Sequence, residues 1–124
     1  MNNSNQTEPN AADYLQERYL RDPLPVRLGG LAANLARVKS FSDHHNHRET
    51  VRSLLTESQH FIEWTAADAS LPQQVELLEL QRTLARWRLA WNEIWNDPER
   101  RSRMAAEARQ WSNRVLESSG LLQT

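Results

Sequence analysis

Residues 77–98 read LLELQRTLARWRLAWNEIWNDP. Leu77, Leu80, Leu84, Trp87, Trp91 and Ile94 recur at intervals of three and four, the period of one face of an amphipathic helix. No glycine or proline interrupts them before Asp97-Pro98. Aspartate is a favoured N-cap and proline a favoured first helical residue, so that pair closes one helix and opens the next. Ser70, with Gln73 three residues on, has the form of a capping box. The expectation is a single helix over residues 70–96, and it sets the class of everything around it.

Worked outward, the same logic assigns the rest of the chain. Asp22-Pro23 repeats the Asp-Pro device. It separates a short helix over 10–21, with Leu15 and Tyr19 one turn apart, from a second helix over 23–41. That second helix carries Leu28, Leu31, Leu35 and Val38 with Ala32 and Ala36 beside them. Gly29-Gly30 weakens it by about 1 kcal/mol per glycine and allows a close helix contact there. A third helix over 46–66 has Val51, Leu54, Ser58, Phe61 and Thr65 in its stripe, widened by Leu55 and Ile62. A last helix over 98–119 has Met104, Ala108, Trp111 and Val115, with Gly120 as a left-handed stop and Leu121 or Leu122 placed to fold back. Residues 1–9 read as a disordered tail. No segment alternates with period two for the length of a strand. The expected fold is therefore all-α: an antiparallel four-helix bundle with a short extra N-terminal helix, a single domain over residues 10–124. The direction of the last helix after Asp97-Pro98 is left open.

Composition narrows the function. The chain has 124 residues, no cysteine and a formal net charge of −1. Disulfides, thiolate metal sites and cysteine nucleophiles are excluded. The near-neutral charge argues against a strong, sequence-independent pull on nucleic acid or anionic lipid. No secretory leader is visible at the N-terminus, and no apolar run reaches the ~18–20 residues of a membrane span. A cytoplasmic location is the expectation. Of the fifteen basic residues only Lys39 is lysine.

The stretch SFSDHHNHRET, residues 40–50, is the one place that resembles chemistry. His44 and His47 are three apart, so on a helix they share a face and offer two metal ligands. Zinc needs about three or four. His60 lies thirteen residues beyond His47, roughly 20 Å along a continuous helix. A competing reading takes Asn46 as N-cap and Glu49 as its capping-box partner, with Asp43 as an alternative cap and the histidines in the connection. Glu57-x-x-His60 has the spacing of ferritin-like di-metal proteins, which need two such elements, and the chain has one.

Two apolar features fall outside the core stripes. Trp64 sits on the far side of the third helix, beside His60. Leu78, Ala85 and Leu89 form a second line on the fourth helix. A helix with two apolar faces is either central or contacts something beyond its own bundle. The first helix, through Tyr14, Leu15 or Tyr19, is one candidate cover; a protein partner or a second copy is the other. Trp87, Trp91 and Trp95 follow the leucine stripe and read as core. Arg100, Arg101, Arg103, Arg109 and Arg114 scatter around the last helix, unlike a nucleic-acid-reading face.

The segments FIEWTAADAS (61–70), LARWRLAWNEIWNDPE (84–99) and RQWSNRVLESSGLL (109–122) resemble small uncharacterised helical proteins of cyanobacteria, over roughly residues 25–122. That resemblance implies a cytoplasmic protein of unknown role and carries no site. With no phosphate-binding glycine loop, dinucleotide fingerprint or H-E-x-x-H present, the sequence points to a non-catalytic module for protein–protein interaction. It would need no cofactor and engage neither nucleic acid nor membrane. The contact residues would be Trp64, Leu78, Ala85 and Leu89. A metal- or small-ligand-binding bundle using His44 and His47 is the alternative.

Overall fold

In a computed structural model, which describes residues 10–122, the backbone is helical almost throughout. The elements are α1 (Ala11–Arg21), α2 (Leu24–Phe41), α3 (Arg48–Thr65), α4 (Leu71–Leu89), α5 (Trp91–Asn96) and α6 (Pro98–Ser119), with 3-10 turns at His45–His47 and Ala66–Asp68. No strand occurs among the described residues. The expected tail over 1–9 lies outside them.

Helix α2 is central because its two sides differ in size. Leu28, Leu31, Leu35 and Val38 are at most 1% exposed and fill the core, each side chain contributing about 1.5–3 kcal/mol by its burial. The other side is small. Ser112 Oγ on α6 donates to the Ala32 carbonyl at 2.7 Å, both groups buried. A side chain one carbon from its own helix reaches a neighbouring backbone only where the two helices lie very close. Ala105 and Ala108 on α6 keep that side thin. Just past α6, Gly120 takes φ +90°, the left-handed stop expected of it. Leu121 then folds over Gly29, where an added Cβ would overlap its Cδ1. The glycine pair thus admits the chain end on one side. On the other, Gly30 faces the Tyr19 ring with room to spare.

Three sequence expectations change in outline. The helix expected over 70–96 is two helices, broken at Ala90 (φ −101°, ψ 25°). Alanine is the best helix former, so the break comes from tertiary ties on the far side. Trp95 Nε1 donates to the His45 carbonyl at 2.7 Å, Arg48 Nη2 donates to Asn92 Oδ1, and Arg101 Nη1 donates to the Trp95 carbonyl at 2.6 Å. These hold α5 against the start of α3 and against α6, off the line of α4. Asp22 is not the N-cap of α2. The helix begins at Leu24 after Pro23, and the Asp22 carbonyl accepts from Arg27 Nε at 3.0 Å instead. The Asn46–Glu49 capping box does not form. α3 starts at Arg48 with His47 as cap and no capping side-chain bond, because residues 45–47 are wound into a 3-10 turn. The Ser70–Gln73 box and the Asp97 cap are present as expected.

Helix α1 is fastened by one buried phenol. Tyr19 stacks on Phe61 with ring centroids 3.9 Å apart. Its hydroxyl donates to the Arg27 carbonyl at 2.7 Å and accepts from Thr65 Oγ1 at 3.2 Å. Arg27, itself buried, donates through Nη1 to Asp68 Oδ2 at 3.0 Å. One cluster therefore joins α1, α2, α3 and the turn after α3.

Burial raises the Tyr19 hydroxyl to a pKa of about 12. A raised acid pKa means the fold holds the neutral phenol. The associated stability is complete below the ordinary pKa near 10 and is lost as pH climbs through about 12. Tyr19→Phe is expected to cost about 1–2 kcal/mol at neutral pH and to remove that alkaline loss, read by denaturant unfolding at a series of pH values. Gly30→Ala is expected to stabilise by about 0.5–1 kcal/mol, since the new Cβ meets Tyr19 at an ordinary 3.7 Å; thermal unfolding measures it.

Candidate functional site: the outer face of α4

Helix α4 buries Leu77, Leu80, Thr83, Leu84 and Trp87 against the body of the protein. On its opposite side Leu78 is 53% exposed and Leu89 90% exposed, with Ala85 exposed between them. The second apolar line is therefore uncovered among the described residues. It is also longer than sequence reading recognised. Leu71 (74% exposed) and Val75 (57% exposed) continue it toward the helix start. At ~100° per residue, Leu71, Val75, Leu78, Arg82, Ala85 and Leu89 lie within an arc of about 80°. Leu71 and Val75 were missed because a capping box and Pro72 mark that turn as a helix start, which draws the eye from its apolar side chains. Leu71 recurs at seven-residue steps with Leu78 and Ala85, and Val75 lies two such steps before Leu89, which was the available signal.

The flanks of this seam carry anchored polar side chains, except beside Leu78, where Ile62, Ala66 and Ala67 line an apolar hollow. On the α3 side, Gln81 Nε2 donates to the Gln59 carbonyl at 3.2 Å and Arg88 Nη1 to Gln59 Oε1 at 2.5 Å. On the α6 side, Arg114 Nη2 lies 3.5 Å from Glu76 and 3.6 Å from Glu79, and Gln73 Nε2 donates to the Ser118 carbonyl at 2.9 Å. The helix is fixed from both sides, so its crest is presented at a set orientation. Leu89 stands between two depressions. One of about 700 Å³ runs toward α6 between Arg86, Glu93, Arg103 and Met104. The other, of about 320 Å³, runs toward α3 and is lined by Gln59, Arg88 and Trp91. Trp91 Nε1 is buried there without a hydrogen-bond partner.

The remaining expected site residues are elsewhere. Trp64 is half-buried on α3, not beside the α4 line. It stacks on His60 at 5.4 Å and meets Tyr19 at 6.0 Å and Phe61 at 6.1 Å. Helix α1 therefore lies over Trp64, and its offset from the α3 stripe is answered within the chain. Tyr14, exposed, and Tyr19, buried with α3, do not cover α4.

His44 and His47 come together as an edge-to-face pair with centroids 5.6 Å apart. His47 Nδ1 lies 3.2 Å from the Phe41 carbonyl, and its ring meets Phe41 edge-on at 5.2 Å. Among the described residues no three His, Cys, Asp or Glu side chains converge as metal ligands. Glu57 is engaged by Asn34 Nδ2 at 2.9 Å, and His60 lies 3.7 Å from Glu63. The His45 backbone carbonyl holds Trp95, so this loop has a structural duty independent of any ligand.

Of the five α6 arginines, Arg101 lies over the Trp95 ring at 5.2 Å and Arg114 over Trp111 at 4.0 Å. No described helix is long and apolar enough to cross a membrane. Comparison with known proteins returns no matching family model, curated protein or solved structure.

Two imidazoles make a weak chelate. Isothermal titration with zinc is expected to show binding by the whole protein no tighter than by a peptide spanning residues 40–50. Markedly tighter binding by the folded chain would establish a specific site at His44 and His47.

Proposed function

We propose that the chain is an antiparallel four-helix bundle, counting α4 and α5 as one arm, with α1 as a short extra helix, and that it serves as a non-catalytic protein–protein interaction module. The observation that carries this reading is the outer face of α4, where Leu71, Val75, Leu78 and Leu89 stand in water on one line. Scattered exposed leucines are ordinary, but an apolar line of roughly several hundred Å² on one helix face, crossed only by Arg82, is the form of a contact surface. More than half of each of these four side chains is left unused by the monomer, whose α4 is already held by its core face and started by its cap. In this reading the module engages protein through side-chain burial, with neither nucleic acid nor membrane as its target and no cofactor.

The double variant Leu78→Glu/Leu89→Glu tests it. Leu89 is almost wholly exposed and Leu78 more than half, so stability is expected to stay within about 1 kcal/mol of the parent. Chemical cross-linking in the cells that make the protein is expected to give an adduct that the variant loses. Identical adducts from parent and variant, or none from either, would remove α4 as the contact surface.

A further inference from the structure

We propose that the occupant of the α4 seam is the α4 seam of a second copy of this chain, paired antiparallel about a two-fold axis beside Leu80. This rests on the reading of α4 as an interaction surface and names its partner. From Leu71 to Val75, Leu78, Arg82, Ala85 and Leu89 the steps are four, three, four, three and four, the seam of a helix pair. That series is the same read from either end. A helix that meets its own copy head to tail needs this property, because a closed two-fold interface uses one patch twice. Leu71 then faces Leu89 of the second copy, Val75 faces Ala85, and Leu78 faces Arg82.

Charge selects the same pairing. Arg82 is the one charged residue in the seam, exposed and without an ion pair among the described residues. Antiparallel pairing sets it opposite Leu78 of the second copy, next to Glu79, whose carboxylate is half exposed and, among the described residues, pairs with the similarly exposed Arg114. The two-fold repeats the contact, giving two Arg82–Glu79 pairs across the axis. Parallel, in-register pairing would instead set Arg82 against Arg82, a like-charge contact that disfavours it. A polar residue at one seam position is a known means of specifying register and orientation.

Area is consistent with a specific but reversible contact. The four exposed apolar side chains present roughly 500 Å² per copy, about 1,000 Å² for the pair, which reaches the lower range of specific interfaces before Arg82 and the flanking Glu79 and Arg86 are included. The monomer retains its own core, so the dimer is expected to form and dissociate with concentration.

The chain has no cysteine, so single introduced cysteines report the geometry. Sedimentation of the purified protein is expected to show a concentration-dependent monomer–dimer equilibrium. Val75→Cys mixed with Ala85→Cys under mild oxidation is expected to yield the mixed covalent dimer in preference to either like pair. Arg82→Glu is expected to weaken the dimer roughly tenfold, and Glu79→Arg/Arg82→Glu to restore it, with circular dichroism verifying the fold of each variant. A protein monomeric at every accessible concentration would overturn the inference. So would preferential Val75–Val75 linkage, or a double variant as weak as Arg82→Glu. Each of those results leaves intact the broader reading of α4 as a surface for a different chain, which the in-cell cross-link tests separately.

Discussion

The close approach of α2 to α6 is the contact on which the rest depends. It is set by a hydroxyl on α6 reaching a carbonyl on α2, Ser112 to Ala32. It exists because α2 is built with a thin side and a thick side. The thin side, with Gly29 and Ala32, lets a neighbouring backbone and the folded-back Leu121 come near. The thick side, with Leu28, Leu31, Leu35 and Val38, fills the space toward the remaining helices. A uniformly large α2 would hold α6 at an ordinary distance and leave the Ser112 hydroxyl buried without an acceptor, at a cost of about 1–3 kcal/mol.

With α2 enclosed, α4 is left at the periphery, and this explains how one helix carries two apolar faces. Its inner face ends in Trp87, and the chain then turns at Ala90 so that Trp91, Ile94 and Trp95 continue burial along α5. The turn is stabilised from outside by the His45 carbonyl, Arg48 and Arg101. The loop that looked most like a metal site is thus a fastening for the tryptophan arm. Helix α1 is committed to α3 through Tyr19 and Phe61, leaving nothing among the described residues to shield the outer face of α4.

Much of this was legible beforehand, and the reason is local. Amphipathic spacing, the Ser70 box, the Asp97-Pro98 joint and the Gly120 stop are each written in a few consecutive residues, and each acts within one or two turns of helix. Of the expectations that changed, the break at Ala90 depended on distant partners, and the others turned on local alternatives that the letters leave open. Ala90 breaks a helix that its own letters would continue. Asp22 contributes a backbone carbonyl to Arg27 where its side chain was expected to cap. The candidate contact line was read in its C-terminal half, Leu78 to Leu89, and missed at Leu71 and Val75, where helix-start residues share the same turn.

The sequence by itself determined the helical class, the places where most helices begin and end, the burial of the leucine and tryptophan stripes and the existence of a second apolar line on the fourth helix. These follow from periodicity and capping, which are properties of neighbours in the chain. Only the tertiary structure decided which apolar residues outside the stripes are covered. Trp64 finds Tyr19 and Phe61, forty-five residues and three residues away in the chain, whereas Leu78 stays more than half exposed and Leu89 almost wholly so. Exposure is a property of who stands opposite, and α1 can shield only one helix.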